Sequence, residues 1–338
     1  MRIFPTCCSP KNKPRAAALI LASLLFAAAL VSLCSGASGA SLWAGLGDLF
    51  SGRDSAAARI LLHIRLPRTA ASLLAGSALA ASGVLIQGVL GNPLAGPNII
   101  GVNAGAGFCT LLLACFFPTA MALLPMAAFL GALGASLLIL FLADRVGASR
   151  MTVVLAGVAI SSILSAGSDL ITTLQPDATL GMSAFLIGGF SGATTARLTS
   201  AACYILPALA AALLLAGDLD VLSLGDEVAQ SLGLRVRRTR VLLLALASML
   251  AGAAVSFSGL LGFVGLVVPH AVRRFTGSEH RALLPLSMLG GALFVLICDV
   301  VARTAFAPFE LPVGILLSLV GGPFFLMLLL KNRRGGRA

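Results

Sequence analysis

Charged residues are scarce in this chain of 338 residues: only 10% are Asp, Glu, Lys or Arg, whereas 59% are hydrophobic and the mean hydropathy is +1.04. That balance excludes an ordinary soluble domain and indicates a protein that crosses a membrane several times. Lysine is scarcer still, because Lys11, Lys13 and Lys331 are the only three. None follows a glycine in the GxxxxGK[ST] pattern that binds nucleotide phosphates. We therefore expect no ATP hydrolysis by this chain itself and no enzymatic activity.

Groups that bind metals or perform acid–base catalysis are also few and dispersed. His63, His270 and His280 lie far apart, and the 12 acidic residues form no paired cluster. The seven cysteines lack metal or redox spacing, so most are interpreted as small apolar residues of the core. The sequence therefore predicts no catalytic residue, no metal site and no cofactor. The net charge of +11 is attributed to membrane topology rather than nucleic-acid binding, because the basic residues adjoin apolar spans without interleaved aromatic residues.

Apolar windows of transmembrane length run through most of the chain. They predict ten spans, near residues 16–35, 69–90, 98–117, 121–142, 152–174, 197–216, 239–258, 262–275, 283–302 and 311–330. The first window is long for a signal peptide, so a retained helix is preferred. The predicted fold is an all-α polytopic membrane protein with about ten transmembrane helices. Its parts are an N-terminal segment at residues 1–15, one transmembrane domain at 16–330 and a C-terminal tail at 331–338.

Basic residues indicate how the spans are oriented. Ten spans place both termini on one side, and if that side is cytoplasmic, 17 of the 23 Lys and Arg residues are cytoplasmic. Four of the six exceptions share one external loop: Arg53, Arg59, Arg65 and Arg68. These arginines either bind anionic lipid head groups or dock an acidic partner from outside.

Asp299 and Arg303 are ionisable residues within one predicted span. Their separation of four residues puts them on the same helix face, which predicts an ion pair. The pair either is purely structural or holds Arg303 in position for a partner. Proton-coupled transporters usually carry a chain of acids or histidines deep in the bundle. No such chain is evident in the sequence.

The long cytoplasmic loop at about residues 218–238 predicts a short amphipathic helix. Ser223 can cap the helix with Asp226 at the third position, and Gly233 supplies a stop. Three apolar residues recur every four positions on one face: Leu224, Val228 and Leu232. This apolar face either rests on the membrane surface or fits a cleft on a cytoplasmic protein.

Two spans carry breaks. The segment GNPLAGPN, residues 91–98, interrupts apolar sequence, although lipid offers no water to satisfy freed backbone groups. Such breaks are tolerated where the backbone is buried in protein or lines a wet cavity. Ser82–Gly83 precedes Pro93 by the same spacing as Ser258–Gly259 precedes Pro269. The equal spacing is either chance or the trace of an inverted repeat.

The sequence resembles the FecCD family in four stretches that occur in this order: RLPRTAASLLAGSALAASGVLIQGVLGNPLAGPNIIGVNAGA, LGDEVAQSLGL, GFVGLVVPHAVRR and DVVARTAFAPFELPVGILLSLVGGPFF. The resemblance covers about residues 40–330. Members of this family are permease subunits of bacterial ABC importers for iron-siderophores, haem and vitamin B12. The resemblance implies a multi-pass inner-membrane permease, similar in fold to the vitamin B12 importer permease, with both termini cytoplasmic. It also implies a second permease copy or paralogue, two cytoplasmic ATP-binding subunits, a periplasmic substrate-binding protein and surrounding membrane lipids.

Three sets of residues follow from the resemblance. The external arginines expected to face acidic residues of the binding protein are Arg65, Arg68 and Arg303. The residues expected to contact the ATPase are Gly225, Asp226, Glu227, Ala229 and Gly233. The residues expected to border the passage or its inner gate are Gln87, Asn92 and Pro93.

The expected function is therefore ATP-driven import of a metal chelate by alternating access, with ATP hydrolysis on partner subunits. The sequence leaves siderophore, haem and cobalamin open as substrates. The leading alternative is an ion- or proton-coupled secondary transporter, which the missing chain of intramembrane acids disfavours. A signalling or scaffold membrane protein is a third interpretation, in which the cytoplasmic loop binds a partner other than an ATPase.

Overall fold

The computed structural model describes residues 13–35, 47–48, 51, 55–146, 150–306 and 309–335, which are mostly helical and contain no strand. The helices within these residues are α1 (Lys13–Cys34), α2 (Ala56–Leu90), α3 (Val102–Phe116), α4 (Leu124–Val146), α5 (Arg150–Leu174), α6 (Pro176–Ile187), α7 (Thr195–Leu214), α8 (Ala216–Ser223), α9 (Asp226–Ser231), α10 (Val236–Ser258), α11 (Val264–Thr276), α12 (His280–Thr304) and α13 (Val313–Gly335). A π-helical turn at Leu61–Arg65 lies within α2.

Every one of the ten apolar windows coincides with a helix. In the described part of the chain, seven helices are long and apolar enough to cross a bilayer, and α3 and α13 include shorter apolar helices. The prediction of an all-α polytopic membrane protein is confirmed. The windows did not predict α6, which lies between two spans. The predicted terminal segments, residues 1–15 and 331–338, lie partly outside the described residues.

Helix α2 forms the centre of the bundle and packs against α7, α8, α10, α11 and α12. Its residues are mostly small, which allows neighbouring helices to approach closely. A Cβ atom on Gly83 would overlap the carbonyl group of Gly265 in α11, and one on Gly76 would overlap the carbonyl of Gly291 in α12. At both crossings the backbones are in contact with no side chain between them.

The bundle has two distinct ends. At the first, named here the arginine end, the last turn of α1, the first turns of α2 and the last turn of α12 come together. At the second, named the α9 end, α2 finishes beside α8, and Asp220 of α8 accepts hydrogen bonds from the backbone and ring of His280 at 2.7 and 2.8 Å. The charged residues of the described bundle are concentrated at these ends rather than in its middle.

Two helices start inside the bundle, each after a break. Helix α2 ends at Leu90 with Gly91 as its cap, and irregular backbone with a 3-10 turn at Pro97–Ile100 leads to α3. Helix α10 ends at Ser258, and α11 begins only at Val264. The matched glycines of the sequence occupy different environments, because Gly83 lies within α2 whereas Gly259 caps α10. The equal spacing therefore does not put the two glycines at equivalent helix positions, and both interpretations of it, chance and an inverted repeat, stay open.

The freed backbone groups at the second break are satisfied largely by those at the neighbouring end of α6, which also bonds to the start of α13. The Gly189 amide donates to the Ser258 carbonyl at 2.8 Å, and the Leu260 amide donates to the Phe185 carbonyl at 3.0 Å. The Gly314 amide, at the start of α13, donates to the Gly188 carbonyl at 3.1 Å. Three interrupted segments thus meet inside the bundle, so the backbone can leave the helical path without losing its hydrogen bonds.

Candidate functional site

At the arginine end, Arg68 joins three parts of the chain. Its Nε atom donates to both carboxylate oxygens of Asp299 in α12, at 3.0 and 3.2 Å. Its NH1 atom donates to Glu310, which precedes α13, at 2.6 Å. Asp299 is completely buried, whereas the Glu310 side chain is 36% exposed. One guanidinium group therefore links α2, α12 and the segment that leads into α13.

Arg303 and Arg65 hold the end of α1. Arg303 donates from NH2 to the carbonyl and hydroxyl oxygens of Ser32, at 2.9 and 2.6 Å. Arg65 donates from NH1 to the carbonyl of Leu33 at 2.9 Å. Cations are favoured at a helix C-terminus, where the last carbonyls lack helical partners. The Nε atom of Arg303 lies 3.6 Å from Asp299, so the predicted ion pair within α12 is confirmed.

The structure therefore brings all three predicted docking arginines together at one end. Arg65, Arg68 and Arg303 are each buried and each donate to groups of the chain itself. The sequence did not predict these contacts with the end of α1, nor the part that Glu310 plays. We name Arg65, Arg68, Asp299, Arg303 and Glu310 the arginine cluster.

At the α9 end, the predicted cytoplasmic helix is present but begins differently. Ser223 is the last residue of α8, and its hydroxyl donates back to the Asp220 carbonyl at 2.6 Å, so its predicted capping role is wrong. Gly225, with φ at 106°, caps α9 instead, because this backbone turn between two helices favours a residue without a side chain. Asp226 then accepts from Arg240 of α10 at 2.8 Å, which ties α9 to the bundle.

One face of this region is apolar and exposed. Three side chains are 60%, 46% and 63% exposed and form what we name the α9 ridge: Leu224, Val228 and Leu232. Glu227 is also exposed, whereas Ala229 is buried against the bundle. Gly233, with φ at 86°, follows the helix as the predicted stop. The residues predicted to contact an ATPase therefore all lie on or beside a projecting helix.

The predicted passage residues lie along the end of α2. Gln87 is buried and donates from its amide to the Gly265 carbonyl at 3.1 Å, which ties α2 to the start of α11. Asn92 and Pro93 are exposed, and the Asn92 side chain accepts from the Leu94 amide at 2.9 Å. They stand at the α9 end, on the first of the two breaks.

A large open cavity of about 660 Å³ lies beside the breaks. Helices α3, α6 and α13 and the segment before α11 contribute its lining, which includes Asn98, Asn103, Leu260, Phe263 and Ser318. These lining side chains are apolar or neutral and polar, a mixture typical of ligand cavities. The sequence analysis did not predict the residues that line this cavity. The one signal for them was the asparagine and glycine content of the segment at the first break. Among the described residues, no group of His, Cys, Asp and Glu has the arrangement of a metal site.

A bundle with interrupted spans, an open cavity at the breaks and a projecting apolar helix at one end defines a subunit of a membrane transporter. The chain belongs to the FecCD transport family, whose model matches residues 24–331. It is accordingly a membrane permease of the kind found in ABC importers, a family of permease subunits rather than catalytic ones.

Individual relatives agree with this assignment. The chain is 40% identical over 280 residues to the hemin transport system permease protein HmuU of Yersinia pestis, covering 81% of this chain and 84% of that protein. It is 38% identical over 293 residues to the ferric enterobactin transport system permease protein FepD of Escherichia coli, covering 86% and 87%. A solved inward-facing conformation of a metal-chelate type ABC transporter aligns with a TM-score of 0.84 and 31% identity, covering 94% of this chain and 99% of that one.

Proposed function

We propose that this permease imports an iron chelate, either an iron–siderophore complex or haem, or alternatively cobalamin, across the bacterial inner membrane. ATP hydrolysis on two separate cytoplasmic subunits drives the cycle. The observation that carries the proposal is the open cavity at the breaks, whose lining includes no charged side chain among the residues that the structure describes. Such a lining suits a bulky chelate that must bind weakly enough to leave again. The relatives act on hemin and ferric enterobactin, which supports the same substrate class.

In this proposal the α9 end faces the cytoplasm, both termini are cytoplasmic and the chain pairs with a second permease copy or a paralogue. The positive-inside rule supports the orientation, because most basic residues fall on that side. The ridge inserts into a cleft of the ATP-binding subunit. Gly225, Asp226, Glu227, Ala229 and Gly233 shape or flank the contact. Burial of apolar side chains that are exposed in the isolated chain provides the driving force.

Gln87, Asn92 and Pro93 form part of the inner gate in this proposal. Their support is their position in the last turn of α2 and on the first break, at the α9 end. Movement of α9 with the ATPase reaches them through α8, because Leu219 of α8 packs against Gly88 of α2.

The arginine end faces the periplasm and receives the substrate-binding protein, with Arg65, Arg68 and Arg303 as the positive charges of the docking surface. These guanidinium groups already have partners within the chain. An acidic protein that docks on them must therefore replace one of those partners. The exchangeable partner is Glu310, which is the more exposed of the two carboxylates on Arg68. A carboxylate of the binding protein takes its place, and Asp299 keeps the guanidinium oriented.

We predict that Glu310→Gln strengthens docking of the binding protein by about three- to tenfold at low salt, with a steeper salt dependence. The substitution removes the carboxylate that competes for Arg68 and leaves the buried pair with Asp299 intact. Surface plasmon resonance on detergent-solubilised complex measures the association. Asp144→Asn, which changes the charge equally at the α9 end, serves as the control and leaves docking unchanged. Unaltered docking in Glu310→Gln would favour the lipid-anchoring interpretation of the arginines.

The proposed function is tested by affinity purification of the tagged chain in mild detergent from its native host grown under iron limitation. We expect a Walker A ATPase to co-purify, and the reconstituted complex to take up a chelate only with ATP and binding protein. Separate uptake assays with haem, ferric siderophores and cobalamin, each offered to vesicles that contain the reconstituted complex, identify the substrate. Uptake by this chain alone, driven by a proton gradient, would instead establish the secondary-transporter alternative. A stoichiometric complex without an ATPase would support the scaffold interpretation.

A further inference from the structure

Phe263 has a backbone conformation that its side chain disfavours. Among the described residues it is the one non-glycine residue with positive φ, with φ at 65° and ψ at −23°. A bulky residue in this left-handed region is a genuine outlier, and such strain clusters at functional sites. The comparable position before α3 is Gly101, with φ at 75° and ψ at 10°. Both residues directly precede a helix that starts after a break, but only one carries a side chain.

The ring of Phe263 is held by α13. A Cβ atom placed on Gly321 would overlap the Cβ and Cγ atoms of Phe263, so the helix presents bare backbone to the aromatic side chain. The carbonyl of Phe263 accepts from the amides of Leu266 and Val267, at 3.0 and 2.8 Å. The backbone of Phe263 is therefore fixed by the first turn of α11, and its side chain is fixed by α13.

Phe263 also lines two cavities. One is the open cavity of about 660 Å³ described above. The other, of about 100 Å³, lies against the first break and is lined in part by Leu94, Gly96 and Pro97. Phe263 and Asn98 are the two residues that line both. The open cavity and the space beside the broken end of α2 therefore adjoin at these two residues.

We propose that Phe263 is a gate residue of the passage. Its ring, seated on Gly321, separates the open cavity from the small cavity at the first break, and a shift of α13 withdraws the ring and connects the two. Glycine would fit this backbone more easily, but it has no ring to close the opening, so a gate explains why an aromatic residue occupies a strained position. This inference rests on the proposed function, because a gate requires a passage.

The test uses Phe263→Gly, which removes the ring and its contacts with α13 but relieves the backbone strain, and the melting temperature in detergent is measured beside the parent to show that the variant is folded. Gly96→Cys places a thiol in the small cavity, where a Cβ has room, 4.0 Å from the nearest Leu266 atom. We expect a water-soluble maleimide to label this thiol at least about fivefold faster when the ring is absent. Peptide mass spectrometry assigns the label and separates it from the native cysteines. Leu319→Ala, which truncates an exposed apolar side chain of the same open cavity, is the control and leaves the rate unchanged.

Gly321→Ala provides a second, independent test of the labelling rate. Its methyl group displaces the ring, so labelling should also rise in this variant, but it should add nothing in a chain that already carries Phe263→Gly. Independent, additive effects of the two substitutions would overturn the proposal, as would unchanged labelling in Phe263→Gly. Chelate uptake by the reconstituted complex is followed in parallel, and ATP-independent leakage should accompany faster labelling. If the parent complex takes up no chelate while labelling responds as expected, the proposed function fails and the partition between the cavities stands.

Discussion

Replacement of Asp299 by leucine should destabilise the protein by about 3–5 kcal/mol, because it leaves buried guanidinium groups without their carboxylate. Asp299 is fully buried and lies 3.0 Å from Arg68 and 3.6 Å from Arg303. Leucine is larger than aspartate and leaves no cavity, so the loss combines the missing charge with overpacking, and the double variant with Arg68→Leu isolates the charge. The melting temperature of the purified chain in detergent should fall by about 10 °C.

Two variants make this result specific. Asp144→Leu breaks an ion pair with Arg237, whose side chain is 69% exposed, and should change the melting temperature little. Arg68→Leu in the Asp299→Leu background should restore part of the stability, because one unpaired buried charge is removed. A chain with Asp299→Leu that melts like the parent would show that the arginine cluster does not hold α1, α2 and α12 together.

The second large effect is expected at the α9 ridge. Leu224→Asp combined with Leu232→Asp should reduce recovery of the ATPase in co-purification by at least about tenfold, because two apolar contacts are replaced by charges. ATP-driven uptake should be lost with it. Both side chains are more than half exposed in the isolated chain, so its melting temperature should remain that of the parent.

Gln230→Asp is the matched control, because it adds a charge to the same helix at an exposed position two residues from both Val228 and Leu232, which places it off the ridge. It should leave ATPase recovery close to that of the parent. Full recovery with both ridge leucines changed would mean that α9 rests on the membrane surface, which was the other interpretation of its apolar face.

Most of the helical framework could be predicted from hydrophobicity, because a span in lipid must satisfy its backbone internally and leaves a long apolar window. That rule fails for short elements. Helix α6, Pro176–Ile187, has only twelve residues and begins with Pro176 and Asp177, so it gives no window of spanning length. The junction of α8 and α9 was also misjudged, because the turn depends on the conformation of Gly225 rather than on a capping side chain.

The candidate site was predictable where its members are close in sequence. The pair of Asp299 and Arg303 follows from helical periodicity, whereas the partnership of Arg68 with Asp299 spans 231 positions and depends on how α2 packs against α12. Periodicity and composition carry no information about such packing. The backbone of Phe263 is a further example, since its left-handed conformation contradicts its local preference and arises from the surrounding structure.

The contact between Gly83 and Gly265 has a consequence for how this sequence can diverge. In an ordinary helix interface, a larger residue on one side is accommodated by a smaller one on the other. Here a methyl group on Gly83 would meet a carbonyl oxygen, which every amino acid at position 265 retains. No substitution at position 265 can therefore make room for a side chain at position 83. A residue larger than glycine at position 83 requires the two helices to move apart along their length.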